Sequence, residues 1–157
     1  YAEMRQLVRS SFAGFAERIA PSARQGELRL LGTSGTVTTL ASLHLELPQY
    51  DRSAVDGLIV PAQSMLGITE RLAGMSPEER SAVPCIGRDR AELVVAGCAI
   101  LDSILDIWPA TRLGVADRGI REGILRSLMA HELAHPHPLH ENRPAWPARD
   151  ASPGLAK

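Results

Sequence analysis

Residues 27–41 have the sequence ELRLLGTSGTVTTLA, in which a short apolar run leads into a glycine-rich turn. Leu28, Leu30 and Leu31 lie between two glycines, which predicts a buried strand over Glu27–Leu31. After the turn, apolar residues recur at steps of three or four, as in a helix: these are Val37, Leu40, Leu43 and Leu47. The order of strand, turn and helix indicates an α/β fold.

Helical patterns flank this unit. Residues 2–20 carry apolar side chains at helical spacing, and Pro21 is expected to end that helix. A further helix is predicted over 61–74, because Pro61 suits a first helical turn and Gly74 suits a C-terminal cap.

Local signals predict two later helices. Ser76 and Glu79 have the spacing of a capping box, which indicates a short helix before Pro84. Residues 88–107 are apolar around most of the helical circumference, so a single helix buried on several sides is expected. Gly97 would otherwise weaken this helix, and we interpret it as allowing another segment to approach closely.

The C-terminal part repeats the order of strand, turn and helix. Arg112–Ala116 is predicted to be a strand, 117–130 a helix and 131–157 a flexible proline-rich tail. Two strands make a poor sheet, so either Tyr50–Val60 adds an edge strand or further strands lie outside this chain. We therefore expect a helix-rich α/β domain over 1–130 with few parallel strands.

Composition excludes several classes of protein. The chain has 157 residues with 17 basic and 18 acidic side chains, so its charge does not suggest a nucleic-acid coat. No apolar run reaches the roughly 18 residues that a membrane-spanning helix needs. The two cysteines, Cys85 and Cys98, cannot build a disulfide framework and are expected to act as small apolar residues. These features predict a cytoplasmic protein without a membrane or nucleic-acid partner.

The turn at Gly32–Thr36 is the first candidate site. Its two glycines let a ligand approach the backbone, and the helix N-terminus that follows presents free N–H groups to an anion. Thr33, Ser34 and Thr36 add hydroxyl groups, whereas the lysine of a Walker A loop is absent. The alternative is structural, with Ser34 simply capping the helix.

Two motifs that contain arginine are further candidates. Arg90 lies with Arg88 at the start of the buried helix, where positive charge opposes the helix dipole. Either an ion-pair network with neighbouring acidic residues or an anionic ligand would compensate. Arg121 follows the second predicted strand, where open α/β sheets bind ligands. Its alternative is a structural pair with Glu122.

Other polar residues are weaker candidates. Asp102 and Asp106 lie on one face of the buried helix, and we interpret them as its narrow solvent stripe or as charges at the helix end. A histidine cluster follows the last helix, and we favour a solvated tail over a metal site for it. The cluster comprises His131, His135, His137 and His140.

Three segments have the order and spacing of a known family. They are Leu31–Ala41, the set Arg90-Ala91-Glu92, Ala96-Gly97 and Ile100-Leu101, and Asp117–Leu125. They resemble the exopolyphosphatase/guanosine-pentaphosphate phosphohydrolase (Ppx/GppA) family over about residues 1–130. Two departures are mild. Glu92 stands where an aspartate is usual, and residues 114–116 replace a more typical valine-serine stretch.

The resemblance implies the ribonuclease-H-like fold of the actin/Hsp70/sugar-kinase superfamily, in which two domains face a cleft. Such enzymes hydrolyse phosphoanhydride bonds of polyphosphate or guanosine pentaphosphate with Mg²⁺. This chain would match the later part of the second domain, with Tyr1 internal to a longer parent. The glutamate base, the Mg²⁺ ligands and two phosphate loops would lie outside it, so no catalytic or metal-binding residue is assigned here.

By position, the resemblance implies a set of phosphate-binding residues: Gly32, Thr33, Ser34, Gly35, Thr36, Arg90 and Arg121. Of these, Arg121 would brace the floor of the cleft together with Glu122. The isolated chain is expected to have no polyphosphatase activity. A non-catalytic module that binds nucleotide or polyphosphate, or a kinase-like member of the same superfamily, remains an alternative. A homodimer is compatible with each.

Overall fold

A computed structural model describes residues 1–25 and 29–134 of the chain. Those residues form eight helices and three short strands. In chain order they are α1 (Ala2–Gln25), β1 (Leu30–Gly32), α2 (Gly35–His44), α3 (Arg52–Val55), β2 (Ile59–Pro61), α4 (Ala62–Ala73), α5 (Pro77–Ser81), α6 (Arg88–Ala91), α7 (Leu93–Ile107), β3 (Arg112–Val115) and α8 (Ile120–Ala134).

The three strands form one small mixed sheet in the order β1-β3-β2. β1 runs parallel to β3, with Leu30 opposite Leu113, whereas β2 runs antiparallel to β3. Of the two alternatives for the sheet, an edge strand from the end of Tyr50–Val60 is present as β2, and it runs antiparallel. Gly57 has a φ of 88°, a conformation that glycine adopts without strain, and this turn sends the chain back along β3.

The first helix is longer than predicted. It continues through Pro21 to Gln25, so the expectation that Pro21 ends it was wrong. Proline removes one N–H and crowds the carbonyl four residues earlier, but its fixed φ is close to the helical value, so a helix already held by other contacts can continue past it. Those contacts include Trp108, the residue that follows α7: Phe12 and Phe15 both pack edge-to-face on it.

Asp102 is buried, and its predicted place on a solvent stripe was wrong. Its carboxylate accepts hydrogen bonds from the Tyr1 hydroxyl at 2.6 Å and from Thr69 Oγ1 at 2.7 Å. Burial together with this hydrogen bond raises the pKa of Tyr1 above its usual range. Two donors distant in sequence, Tyr1 just before α1 and Thr69 in α4, satisfy the carboxylate, which is the condition under which a buried charge is tolerated. Asp106, by contrast, is exposed and pairs with Arg5 and Arg9.

Arg80 links three helices through backbone carbonyls. Its side chain is buried, and its guanidinium donates to the carbonyls of Ala91, Leu72 and Met75. The first of these bonds measures 2.6 Å. It occupies the Ala91 carbonyl at the end of α6, which explains why the predicted single helix over 88–107 is interrupted at Glu92.

The core lies between the inner face of the sheet and helices α2, α4 and α7. Its fully buried members include Leu40, Val55, Val60, Met65, Leu72 and Cys98. The close approach predicted at Gly97 is confirmed: a methyl group there would lie 2.7 Å from Thr36 Cγ2. The predicted capping box at Ser76 and Glu79 is also confirmed, with both of its reciprocal hydrogen bonds present.

The two cysteines provide a test of this packing. Cys98 is fully buried, and burial raises the pKa of its thiol to about 12, whereas Cys85 is half-buried. Because the thiolate is the reactive form, we expect a disulfide reagent at pH 8 to label one thiol per folded chain. Cys98 should react only as the chain unfolds. The Cys85→Ser variant should then show no fast thiol, and equal rates for both cysteines would contradict the described core.

The chain divides into two compact units, Tyr1–Gly119 and Ile120–Lys157. In the second unit, α8 starts three residues after the predicted start at Asp117 and continues past Ala130 to Ala134. His131 is thus helical, while the other histidines of the cluster lie outside the described residues. Among the residues described in either unit, no helix is long and apolar enough to span a membrane.

Candidate functional site

The glycine turn lies at the carboxyl edge of the sheet. β1 and β3 are parallel, and Gly32 lies opposite Val115, so the segments that follow both strands leave from the same edge. The Ala116 N–H donates to the Gly32 carbonyl at 2.9 Å, which extends the pairing by one residue. This is the edge at which open α/β sheets bind ligands.

Ser34 has the capping role that the sequence left as an alternative. Its hydroxyl accepts a hydrogen bond from the Val37 N–H at 3.3 Å, and α2 begins at the next residue. Packing also requires a glycine at position 32, because a methyl group there would lie 2.6 Å from a methyl group of Val37. The residue types at Gly32 and Ser34 are therefore explained by the formation of α2, without any ligand.

The outer part of the turn is open to a ligand. Thr33, Ser34 and Gly35 are exposed, and no described atom lies within 4 Å of where a side chain at Gly35 would begin. In the first helical turn, the amides of Gly35 and Thr36 have no intrahelical carbonyl to bind and face the N-terminal end. The Thr36 side chain instead packs on Gly97 of α7.

Arg90 is placed at the first turns of α2. It is exposed, and its Nη1 donates a hydrogen bond to Thr39 Oγ1 at 3.3 Å. Within residues 1–25 and 29–134, no carboxylate forms an ion pair with Arg90 or Arg88. The ion-pair network that sequence analysis left open is thus not formed there, and the positive charge of Arg90 is available to an anion.

A polar network at the same edge was not predicted. The Tyr50 hydroxyl donates to Asp117 at 2.6 Å, and Asp56 accepts from the Asp117 N–H and from Arg118. Burial and the bond to Asp117 raise the pKa of Tyr50 to about 12, and the Arg118 hydrogen bond lowers the pKa of Asp56. Asp117 and Arg118 were visible as polar residues after a strand, whereas no sequence signal identified Tyr50 or Asp56 as their partners.

Arg121 is exposed in the first turn of α8 and belongs to the second unit. Its part in phosphate binding therefore stays a prediction. For a metal, the residues that the structure describes contain no group of three or more His, Cys, Asp or Glu side chains arranged to hold an ion. The described donor set does not fit Mg²⁺, and we assign no residue and no chemical step to it.

The described geometry is that of an α/β domain in which a helix N-terminus and the Arg90 guanidinium lie together at the carboxyl edge of a small sheet. The chain belongs to the Ppx/GppA phosphatase family, whose model matches residues 1–132. Its fold is the ribonuclease-H-like fold of the actin-like superfamily, present here in part.

Individual relatives agree with this assignment. Exopolyphosphatase 2 from Mycobacterium tuberculosis is 30% identical over 120 residues, which cover 71% of this chain but only 38% of that protein. A Ppx/GppA crystal structure from Aquifex aeolicus superimposes with a TM-score of 0.63 at 28% identity, covering 78% of this chain and 42% of that one. An exopolyphosphatase from Cytophaga hutchinsonii, at 16% identity and a TM-score of 0.66, shares the fold.

Proposed function

We propose that this chain provides the phosphate-binding part of a hydrolase that cleaves phosphoanhydride bonds in inorganic polyphosphate or guanosine pentaphosphate. The observation that carries the proposal is the unpaired Arg90 guanidinium at the N-terminal turns of α2, in a member of a phosphatase family. The name of the Mycobacterium tuberculosis relative, an exopolyphosphatase, supports polyphosphate as one substrate. The chain would correspond to the later part of the second domain of the parent enzyme.

The chemistry of such a site is electrostatic. The transferred phosphoryl group carries charge on its outer oxygens, so positioned N–H donors and a guanidinium stabilise it as water attacks. Gly32–Thr36 would bring backbone amides to the phosphate chain, and Arg90 would add a planar set of donors that matches phosphate oxygens. The described residues provide donors of this kind, and we propose that the base and the Mg²⁺ ligands come from other parts of the parent.

The first test is binding of polyphosphate by the chain. We expect the variant Arg90→Gln to bind a polyphosphate of defined length about ten-fold more weakly, because a charge-assisted hydrogen bond is lost. Isothermal titration calorimetry at two salt concentrations measures this, and the affinity should fall as salt screens the charges. Guanosine pentaphosphate in parallel titrations ranks the two substrates.

Arg112→Gln is the matched control. Arg112 is also exposed, but it begins β3 and so lies at the opposite end of that strand from Val115. This variant should keep the parent affinity. If the chain does not bind polyphosphate, or if both variants lose affinity equally, the proposal fails. Release of inorganic phosphate by the pure chain above background would contradict the claim that the catalytic base lies elsewhere.

The proposal also includes a role for Arg121 and the cofactor, location and oligomeric state of the parent enzyme. Arg121 would brace the phosphate site, and the parent would work with Mg²⁺ in the cytoplasm, as a homodimer or a single copy.

A further inference from the structure

Thr39 lies beneath the candidate phosphate site. It occupies the second turn of α2, where its side chain is 2% exposed. Its hydroxyl lies 2.7 Å from the Gly35 carbonyl and 3.3 Å from Nη1 of Arg90. A buried hydroxyl thus joins the backbone of the first helical turn to an exposed guanidinium.

The chemistry of the hydroxyl fixes the direction of both bonds. A threonine hydroxyl has one proton and two lone pairs, and a guanidinium has only donors. Arg90 must therefore donate to Thr39, which leaves the Thr39 proton for the Gly35 carbonyl. Both bonds of the chain Arg90–Thr39–Gly35 are satisfied in this one arrangement.

We infer that Thr39 is a positioning residue that holds the Arg90 guanidinium over the first turn of α2, ready for phosphate. The inference rests on the proposed function for the ligand, but the tether itself is a property of the chain. A free arginine side chain loses several rotatable bonds on binding, whereas a tethered one has already lost part of that freedom. One N–H is used by Thr39, and the remaining donors stay available for phosphate oxygens.

Thr39→Val removes the hydroxyl and keeps the branched shape. The Gly35 carbonyl also accepts a hydrogen bond from Thr38 Oγ1 at 3.1 Å, so it still has a side-chain donor when the Thr39 hydroxyl is removed. Thr39→Ser restores the hydroxyl and should rescue the effect. Ser42→Ala is the matched control, because Ser42 is a buried hydroxyl of the same helix that donates to Thr38 and makes no described bond to Arg90.

Polyphosphate titrations measure the effect on binding. We expect Thr39→Val to bind about five-fold more weakly, and Thr39→Ser and Ser42→Ala to stay within about two-fold of the parent chain. In an Arg90→Gln background, Thr39→Val should cause no further loss, since the residue acts through Arg90. An equal loss in both backgrounds would show a merely structural role and overturn the inference.

A second measurement does not depend on the ligand. NMR relaxation of the Arg90 side-chain nitrogens should show an ordered guanidinium in the parent chain and in Thr39→Ser, and a mobile one in Thr39→Val. Unchanged order in Thr39→Val overturns the tether, whatever the titrations show. Failure of the parent chain to bind polyphosphate, with the tether intact, overturns the proposed function and the phosphate role of Thr39 but leaves the tether supported.

Discussion

Gly97→Ala is expected to lower the free energy of unfolding by about 2 kcal/mol, although alanine favours helices more than glycine does. The added methyl group would lie 2.7 Å from Thr36 Cγ2 and 2.9 Å from Thr36 Cβ. Either the Thr36 side chain or α7 must move to admit it, because close-packed interiors have no spare volume. Chemical denaturation of both chains measures the difference.

Gly67→Ala is the matched control for this substitution. Gly67 also lies inside a helix, α4, but no described atom lies within 4 Å of its added methyl group. There the helix preference of alanine should act alone and stabilise the chain by about 0.5–1 kcal/mol. Opposite signs for the two variants are the expected outcome. Stabilisation in both would show that Thr36 and Gly97 are not in contact.

The same contact reaches the candidate site. Thr36 lies in the first turn of α2, so a methyl group at Gly97 that displaces it should also disturb the amides of that turn. The methyl group would meet three atoms of Thr36, namely Oγ1, Cγ2 and Cβ, and Thr36→Ala removes the first two of them. Combining it with Gly97→Ala should therefore recover part of the lost stability, as expected for residues in direct contact.

Arg80→Met is expected to destabilise the chain by about 3 kcal/mol. The substitution keeps most of the apolar stem but removes the donors to the carbonyls of Leu72, Met75 and Ala91. The Leu72 carbonyl keeps the Met75 N–H as a donor, but the carbonyls of Met75 and Ala91 lose a described partner, which carries a desolvation cost, and the ends of α4 and α6 lose a common anchor. Denaturant midpoints of the parent and the variant measure the loss.

Lysine at the same position separates charge from geometry. Arg80→Lys keeps the positive charge. Its single ammonium group cannot reproduce the planar guanidinium, whose Nε and Nη1 donate to different carbonyls. We expect it to recover only part of the stability lost in Arg80→Met. Full recovery would mean that charge alone matters, and an unchanged midpoint in Arg80→Met would refute the anchoring role.

Local signals predicted much of the fold. The turn and helix around Gly32–Thr36, the capping box at Ser76 and the close approach at Gly97 depend on neighbouring residues or on one residue type, and each is confirmed. Of the buried strand predicted over Glu27–Leu31, Leu30 and Leu31 belong to β1, but Leu31 is exposed, and residues 27–28 lie outside the described part of the chain. The interruption at Glu92 escaped prediction because it follows from a bond between Arg80 and the Ala91 carbonyl. Pairing between distant segments is not encoded in helical periodicity.

Residues of the candidate site could be predicted from local sequence signals, but their long-range partners could not. Arg90 was identified from its position at a helix start, and the structure brings it to α2. Thr39, which holds it, looked like an ordinary helical residue, since its partner lies in a different helix. Asp102 was misassigned for the same reason: its donors, Tyr1 and Thr69, are distant from it in sequence.

The pairing of β1 with β3 has a consequence for when the site can form. Leu30 pairs with Leu113, so the loop after β1 and the segment after β3 meet only when almost the whole first unit has been synthesised. Until then, Gly32–Thr36 can form a helix start but has no neighbouring strand, and Arg90 has no settled core beneath it. Contacts between residues so distant in sequence form late, because they must first overcome the entropy of closing a long loop. The carboxyl edge of the sheet is therefore expected to assemble late in folding, after β3 has paired with β1.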